Sequence, residues 1–192
     1  MSNTSTGQSS EGKACKAVIL VGGASKGTRF RPLSLGVPKP LFPLANRAMI
    51  HHHIAACKAQ LPRLTEIVLL GFFEPSLFAK FIEEAQQEFN VPIRFLREDV
   101  RLGTAGGLFK FRDVLCEGLS DDDTLFIFNC DIMAPSFPLV QLERFHRAHG
   151  RLATILSKRV LSQDAHNYGC LVADPSSHHV LHYAEKPETF VG

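Results

Sequence analysis

Three features that would assign the chain to common classes of protein are missing from the sequence. No apolar run approaches the roughly 20 residues of a membrane-spanning helix, and no signal-like apolar segment is present. Its five cysteines are an odd number without a Cys-x-x-Cys pair. We therefore expect reduced thiols, a cytoplasmic location and no membrane association rather than a disulfide framework.

A strong excess of charge is also missing. The formal net charge is +2, which is too mild for the basic face or stripe that nucleic-acid binding requires. We therefore expect no nucleic-acid partner. The 192 residues, 45% hydrophobic and 21% charged, have the length and composition of one ordinary globular domain.

The start of the chain has little that could form a core. Residues 1–12 are mostly Ser, Thr, Gly and other polar residues without apolar periodicity. Such a segment cannot bury enough surface to offset the entropy that ordering costs. We expect residues 1–14 to form a disordered tail and residues 15–192 to form the domain.

A short apolar stretch followed by glycines and cations is the most distinctive part of the sequence. Residues 16–21 (KAVILV) predict a strand buried on both faces of a parallel sheet. Gly22, Gly23 and Gly27 follow and let a ligand approach the backbone. The next polar side chains are Thr28, Arg29, Arg31 and Lys39. A plain tight turn is one interpretation, but clustered cations repel one another unless a polyanion binds, which favours a phosphate-binding loop.

Two familiar phosphate-binding loops are excluded by spacing. The dinucleotide fingerprint requires Gly-x-Gly-x-x-Gly, whereas the glycines here fall at 22, 23 and 27. A P-loop requires Lys-Ser or Lys-Thr after its second glycine, whereas Thr28-Arg29 stand there. The loop therefore belongs to neither class.

Buried-strand patterns alternate with amphipathic helix patterns along the chain. The predicted strands span 16–21, 66–71, 93–96, 124–128 and 153–157. The predicted helices span 48–61, 77–89 and 139–149, with a further helix after the glycines at 103–107. This alternation predicts an α/β fold with a doubly wound, mostly parallel sheet. Two short extended pieces, 169–172 and 180–184, predict a C-terminal β-hairpin.

Topology places a carboxylate opposite the glycine loop. In the strand order 3-2-1-4-5, ligands bind beyond the carboxyl ends of strands one and four. Strand four is followed by Asn129-Cys130-Asp131. Asp131 is therefore the candidate ligand of a magnesium ion, which favours oxygen ligands and substrate phosphates; the alternative is an ordinary turn residue. We interpret Cys130 as a packing residue rather than a nucleophile, because no histidine lies beside it in sequence.

Two further groups of polar residues are typical of an exposed surface rather than of a binding site when judged by composition and spacing alone. His51, His52 and His53 are consecutive in a predicted helix, so their side chains point about 100° apart and cannot close on one metal. We expect them to cap or solvate the helix. Glu185-Lys186-Pro187 after the hairpin has the composition of a solvated strand end.

Five segments together resemble the motifs of the sugar nucleotidylyltransferases, in the same order. They are the loop from Gly22 to Pro40, Leu102-Gly103-Thr104-Ala105-Gly106, Asn129-Cys130-Asp131, Tyr168-Gly169 and Glu185-Lys186-Pro187. Within that family the chain most resembles the mannose-1-phosphate guanylyltransferases, and among them the regulatory alpha subunits. Its Gly-Gly-Ala-Ser-Lys-Gly-Thr-Arg loop is two residues longer than the compact loop of the catalytic forms.

The resemblance implies a Rossmann-like nucleotidyltransferase fold and a role for each matched residue. Arg29, Lys39 and Asp131 would act on the phosphates, with Mg²⁺ at Asp131. Nucleotide binding would involve Gly22, Gly23, Gly27, Thr28, Arg31, Gly103 and Thr104. Gly169, Glu185 and Lys186 would line the sugar-phosphate pocket. The lengthened loop could misplace Arg29, and an error of about 1 Å can cost about a hundredfold in rate.

The resemblance also implies ligands and a partner. The ligands are GTP or GDP-mannose and mannose 1-phosphate, and the partner is a catalytic guanylyltransferase subunit. The family's second metal-binding aspartate lies beyond residue 192, so we expect the domain to be truncated. The chain is therefore interpreted as a regulatory subunit that binds GDP-mannose. The alternatives are an active guanylyltransferase and a relative with another base or sugar.

Overall fold

A computed structural model describes residues 13–23, 31–33, 35–100, 102–132 and 137–187, which form two compact units, Met1–Arg144 and Phe145–Gly192. The strands are β1 Cys15–Gly22, β2 Pro43–Leu44, β3 Arg47–Ala48, β4 Leu64–Gly71, β5 Ile93–Arg97, β6 Thr124–Asn129, β7 Gly169–Ala173 and β8 Val180–Glu185. The α-helices are α1 Met49–Gln60, α2 Ala79–Phe89, α3 Gly103–Lys110, α4 Arg112–Leu115 and α5 Leu139–His149. Short 3-10 helices span Lys39–Leu41, Pro75–Leu77 and Ser162–Asn167.

The central sheet of the first unit is parallel and has the order β5-β4-β1-β6. This order confirms the predicted arrangement of the first four strands, in which β4 and β5 lie on one side of β1 and β6 lies on the other. β1 lies inside the sheet and pairs with β4 on one side and β6 on the other. The loops after β1 and β6 therefore begin at the same edge of the sheet.

Both faces of the sheet are covered, as doubly wound folds require. On one face, Ile19 of β1 packs with Ile54 of α1, Phe78 and Leu139 of α5. On the other face, a smaller cluster joins Val18, Val68, Leu70 and Leu115. Alternate residues of β1 thus face opposite layers, which explains why residues 16–21 read as a continuous apolar run rather than an alternating one.

A charged network with a buried lysine–glutamate pair lies near the amino ends of three neighbouring strands. The Lys16 Nζ lies 2.9 Å from Glu66 Oε2 and donates a hydrogen bond of 2.6 Å to the Glu117 carbonyl. Arg94 donates from Nε to Glu66 Oε1 at 2.7 Å. Because Lys16 and Glu66 are Cα partners in the β1–β4 register, their ion pair forms across adjacent strands.

The second unit contains the antiparallel hairpin of β7 and β8, which confirms the predicted C-terminal hairpin. The predicted strand at 153–157 is wrong: these residues have no regular secondary structure. The segment has the apolar composition of a strand, but it pairs with no strand among the described residues, and Ile155 is 61% exposed. A strand requires a neighbouring strand for its backbone hydrogen bonds, which composition alone cannot guarantee.

Two residues of the predicted tail have backbone or side-chain partners near β6. The Lys13 Nζ lies 2.5 Å from Asp122 Oδ1, and the Ala14 carbonyl accepts a hydrogen bond from the Thr124 amide at 3.2 Å. The prediction for residues 1–12 lies outside the described residues. None of the helices in the described ranges is long and apolar enough to cross a membrane.

Candidate nucleotide-binding site

A cavity of about 470 Å³ opens at the carboxyl ends of β1 and β6. Its walls combine residues from the ends of β1 and β4, from the segments after β1, β4, β5 and β6, and from the start of α3. Six predicted site residues line it: Gly22, Gly23, Lys39, Gly103, Thr104 and Asp131. The remaining walls include Leu35, Pro38, Leu70, Phe72, Phe73, Leu77, Glu98, Asn129 and Cys130. The lining therefore combines apolar, polar and charged residues.

Two glycines in the cavity wall adopt backbone conformations that other residues rarely take. Gly22 ends β1 with φ +70°, and Gly103 begins α3 with φ +73°. A side chain at either position would be strained even though the space beside it is open. The chain turns at both points, which keeps the backbone at the cavity surface.

Lys39 and Asp131 meet across the cavity. Lys39 begins the 3-10 helix Lys39–Leu41, and Asp131 follows β6 by two residues. Their Nζ and Oδ2 atoms are 2.7 Å apart, with side chains 27% and 51% exposed. The sheet order therefore brings a cation and a carboxylate from distant parts of the sequence into one site, as the topology predicted.

The residues present fit a magnesium ion held mainly by phosphates and water. Asp131 supplies a half-exposed carboxylate, and the neighbouring Asn129 also lines the cavity. Within the described ranges no group of three or more His, Cys, Asp or Glu side chains is placed to hold a metal. Magnesium is commonly bound by one or two carboxylates together with substrate phosphates, so a single aspartate suits it better than a dedicated protein cage.

Glu98 is a cavity residue that the sequence reasoning missed. It follows β5 directly, its amide donates to the Gly71 carbonyl at 2.8 Å, and only 7% of the residue is exposed. A Cβ at Gly107 of α3 would collide with its Oε1, so the helix approaches the carboxylate closely because residue 107 is glycine. The missed signal was a carboxylate immediately after a strand, the pattern that identified Asp131.

Two buried groups lie behind the loop that carries Asp131. Burial, reinforced by the Asp131 carboxylate, raises the pKa of the Cys130 thiol to about 11. A thiol of this kind is a poor nucleophile, which supports the predicted packing role. His53 is 1% exposed and its ring lies near that of Phe128. The expectation that His53 caps or solvates the helix is therefore wrong, because the side chain faces the sheet; burial lowers its pKa.

Four predicted nucleotide or phosphate residues are not placed in the cavity. Gly27, Thr28 and Arg29 lie outside the described residues, together with the rest of 24–30. Arg31 is described; it is exposed and does not line the cavity. The lengthened part of the loop also lies outside the described residues.

The predicted sugar-phosphate residues lie together in the hairpin of the second unit. Gly169 and Glu185 are Cα partners in the β7–β8 register, and the Lys186 amide donates to the Tyr168 carbonyl at 3.1 Å. The Tyr183 hydroxyl donates to Glu185 Oε2. A Cβ at residue 169 would lie 2.6 Å from the Tyr183 hydroxyl, so glycine leaves room for this pair.

Comparison with known proteins identifies the family. The model of the nucleotidyl transferase family matches residues 16–192. The chain belongs to this family. The match begins at the second residue of β1 and includes every strand and helix described above, so the family resemblance inferred from five short motifs is confirmed.

Two curated relatives with high identity are named regulatory subunits. The chain is 53% identical over 176 residues to the mannose-1-phosphate guanylyltransferase regulatory subunit alpha of Dictyostelium discoideum. It is 49% identical over 177 residues to the human protein of the same name. Each alignment covers 92% of this chain and 41–42% of the relative. The chain thus spans about two fifths of the length of these relatives.

Solved structures agree on the fold. UDP-glucose pyrophosphorylase from Acinetobacter baumannii superposes with a TM-score of 0.68 at 18% identity, covering 92% of this chain and 69% of that one. A UDP-glucose pyrophosphorylase in complex with UDP-glucose gives 0.67 at 14% identity, covering 91% and 69%. Structures at such low identity show the fold alone, which is the Rossmann-like nucleotidyltransferase fold.

Proposed function

We propose that this nucleotidyl transferase domain binds GDP-mannose in the cavity between β1 and β6 and belongs to a regulatory subunit of mannose-1-phosphate guanylyltransferase. The observation that carries the proposal is the meeting of Gly22, Lys39 and Asp131 in one cavity. A diphosphate requires close backbone approach, a cation and a metal-binding carboxylate, and these three residues supply them. The names of the relatives support the choice of pathway.

A buried carboxylate in the cavity supports guanine as the base. Guanine presents two adjacent donors, N1–H and the N2 amino group, on one edge. The Glu98 carboxylate lines the cavity together with Gly103 and Thr104, where we place the base, and a carboxylate accepts hydrogen bonds from such donors. Adenine and the pyrimidine bases do not offer that pair of donors, so a carboxylate discriminates against them.

Calorimetric titration tests the base and the sugar together. We expect GDP-mannose with Mg²⁺ to bind more tightly than GDP, and both to bind more tightly than ADP-mannose. Glu98→Gln should weaken GDP-mannose binding by about tenfold or more, because it removes the negative charge that strengthens hydrogen bonds from the guanine donors. Glu88→Gln, an exposed carboxylate absent from the cavity lining, is the matched control. Equal affinity of the wild type for all three ligands would contradict the proposal.

The alternative is an active guanylyltransferase, which the presence of both Lys39 and Asp131 in the cavity favours. A phosphate oxygen of mannose 1-phosphate would attack the α-phosphorus of GTP. The new P–O bond would form as the bond from the α-phosphorus to the bridging oxygen breaks, which releases pyrophosphate and leaves GDP-mannose. Lys39 would neutralise charge near the α-phosphate, and Asp131 would hold Mg²⁺, whose chemistry is charge neutralisation on the phosphates.

A pyrophosphate assay separates the two functions. The chain is incubated with GTP, mannose 1-phosphate and Mg²⁺, and pyrophosphate release is measured over many equivalents of protein. The regulatory proposal predicts no sustained release. Sustained release that Asp131→Ala abolishes would establish the enzyme instead.

A catalytic guanylyltransferase subunit is the proposed partner, on the basis of the relatives' names. Cytoplasmic location and reduced thiols are part of the same proposal, and none of the five cysteines, all of them in the described ranges, forms a disulfide. Co-purification with a tagged catalytic subunit, followed by sizing of the complex, tests it. Elution of the two proteins as separate species at micromolar concentration would contradict the partnership.

A further inference from the structure

Helix α3 contains two consecutive glycines, Gly106 and Gly107, within its eight residues. Glycine is the poorest helix former after proline, because its backbone loses the most entropy when it is ordered. Gly107 is also buried, although it has no side chain to contribute to a core. A residue that weakens its own helix in this way requires a reason in the atoms that surround it.

The Glu98 carboxylate is the group that lies against Gly107. A Cβ at residue 107 would collide with Glu98 Oε1 and would lie 3.0 Å from Glu98 Cδ. The same Cβ would lie 3.5 Å from Leu70 Cδ2, which is an ordinary van der Waals distance. A side chain at position 107 would therefore displace the carboxylate and leave the rest of its surroundings in place.

Glu98 is held between the sheet and α3 at the edge of the cavity. Only 7% of Glu98 is exposed, and its amide donates to the Gly71 carbonyl at 2.8 Å, which fixes the backbone after β5. Gly103 and Gly107 are four residues apart and lie on the same face of α3. Because Gly103 and Glu98 both line the cavity, the carboxylate that Gly107 accommodates belongs to the cavity wall.

Resting on the proposed function, we propose that Gly107 is a specificity-determining residue, which leaves the space that the Glu98 carboxylate occupies when it reads the base. Gly107 acts through Glu98 and makes no contact with the ligand itself. A displaced carboxylate would lose its hydrogen bonds from guanine N1–H and from the N2 amino group. A base without this pair of donors would lose little, so the consequence is a loss of base selectivity.

Calorimetric titration of the full chain with GDP-mannose and with ADP-mannose, both with Mg²⁺, tests the proposal. Gly107→Ala should lower the ratio of the two affinities by about tenfold, because charge-assisted hydrogen bonds to guanine are lost. Gly106→Ala is the matched control, since the same methyl group in the same helix would meet Leu102 rather than Glu98. Its ratio should equal that of the wild type, even if both affinities fall. An equal fall of the ratio in both variants would overturn the proposal.

A double-mutant cycle with Glu98→Ala shows whether Gly107 acts through the carboxylate. With Glu98 present, Gly107→Ala should lower the free energy of unfolding, because the methyl group and the carboxylate collide. In the Glu98→Ala background the space is open and alanine is the better helix former, so the same substitution should raise it. Urea denaturation measures all four proteins. A change of the same sign in both backgrounds would overturn the proposal.

The wild type separates this proposal from the proposed function. If the wild type binds GDP-mannose no more tightly than ADP-mannose, the proposed function is refuted, and Gly107 has no base selectivity to determine. If the wild type discriminates between the two ligands and Gly107→Ala discriminates equally well, the specificity role of Gly107 is refuted and the proposed function stands.

Discussion

The first unit contains two lysine–carboxylate pairs of similar length at different places in the sheet. Lys16 and Glu66 are 2.9 Å apart near the amino ends of β1 and β4, with side chains 7% and 10% exposed. Lys39 and Asp131 are 2.7 Å apart beyond the carboxyl ends of β1 and β6 and are far more exposed. Both pairs join segments that are distant in sequence.

Burial, rather than distance, separates the roles of the two pairs. Lys16 and Glu66 are further held by the Glu117 carbonyl and by Arg94, so each buried charge has several partners. Lys16 and Glu66 are partners in the β1–β4 register, and their burial leaves no room for a ligand between them. Lys39 and Asp131 are open to the cavity, where a ligand can replace either member. One pair supports the sheet and the other is available for binding.

The largest expected effect distinguishes these roles by stability. Lys16→Met leaves Glu66 buried with an ion pair to Arg94. We expect the free energy of unfolding to fall by about 2–4 kcal/mol. Lys39→Met, the matched change in the exposed pair, should cost less than about 1 kcal/mol. Urea denaturation followed by circular dichroism measures both, and equal losses would contradict the division of roles.

Substitutions at Gly71 and Gly36 test how tightly the backbone is packed at the cavity end of the sheet. A Cβ at Gly71 would collide with the Gly22 carbonyl and approach Val21 Cγ2 to 2.7 Å. Gly71→Ala should therefore displace the loop after β1, cost about 1–3 kcal/mol and weaken diphosphate binding. Gly36, which lines the cavity, has nothing within 4 Å of such a Cβ. Gly36→Ala should change the free energy of unfolding by less than about 1 kcal/mol. If the two substitutions had similar effects, close packing around Gly71 would not be the reason that glycine is needed there.

The smallest expected effect concerns His53, behind the cavity. Burial lowers its pKa below the ordinary value of 6.5, so the unfolded chain binds a proton that the folded chain does not as the pH falls below 6.5. The free energy of unfolding should therefore decrease as the pH falls through this range, by at most about 1.4 kcal/mol per pH unit. Well above pH 6.5, His53 should not make the free energy of unfolding depend on pH. His53→Gln should flatten the curve between pH 6.5 and 5. Parallel curves for variant and wild type would contradict the prediction.

Much of the fold could be predicted because its signals are local. The glycines after β1, the alternation of strand and helix patterns and the hairpin turn each lie within a short window. The placement of Asp131 opposite Lys39 followed from strand order, since only one edge of the sheet carries the carboxyl ends of parallel strands. The motifs then identified the family.

The errors came from properties that depend on the whole fold. The segment at 153–157 has a strand's composition, but pairing depends on a neighbour that no local pattern reveals. The burial of His53 depends on which face of α1 packs against the sheet. Three consecutive histidines point to different faces, so the sequence does not show which of them is buried. Glu98 was missed because its role depends on α3 approaching the end of β5 through Gly107. Such contacts join elements that are distant in sequence, so no local sequence pattern predicts them.

A crystal structure of the chain with GDP-mannose and Mg²⁺ tests the central claim most directly. We expect the diphosphate to lie in the cavity against the backbone of Gly22 and Gly23. The Lys39 ammonium should contact a phosphate oxygen, and the Asp131 carboxylate should contact the metal rather than Lys39. A nucleotide bound elsewhere, or an intact Lys39–Asp131 pair with the diphosphate away from both, would contradict the account.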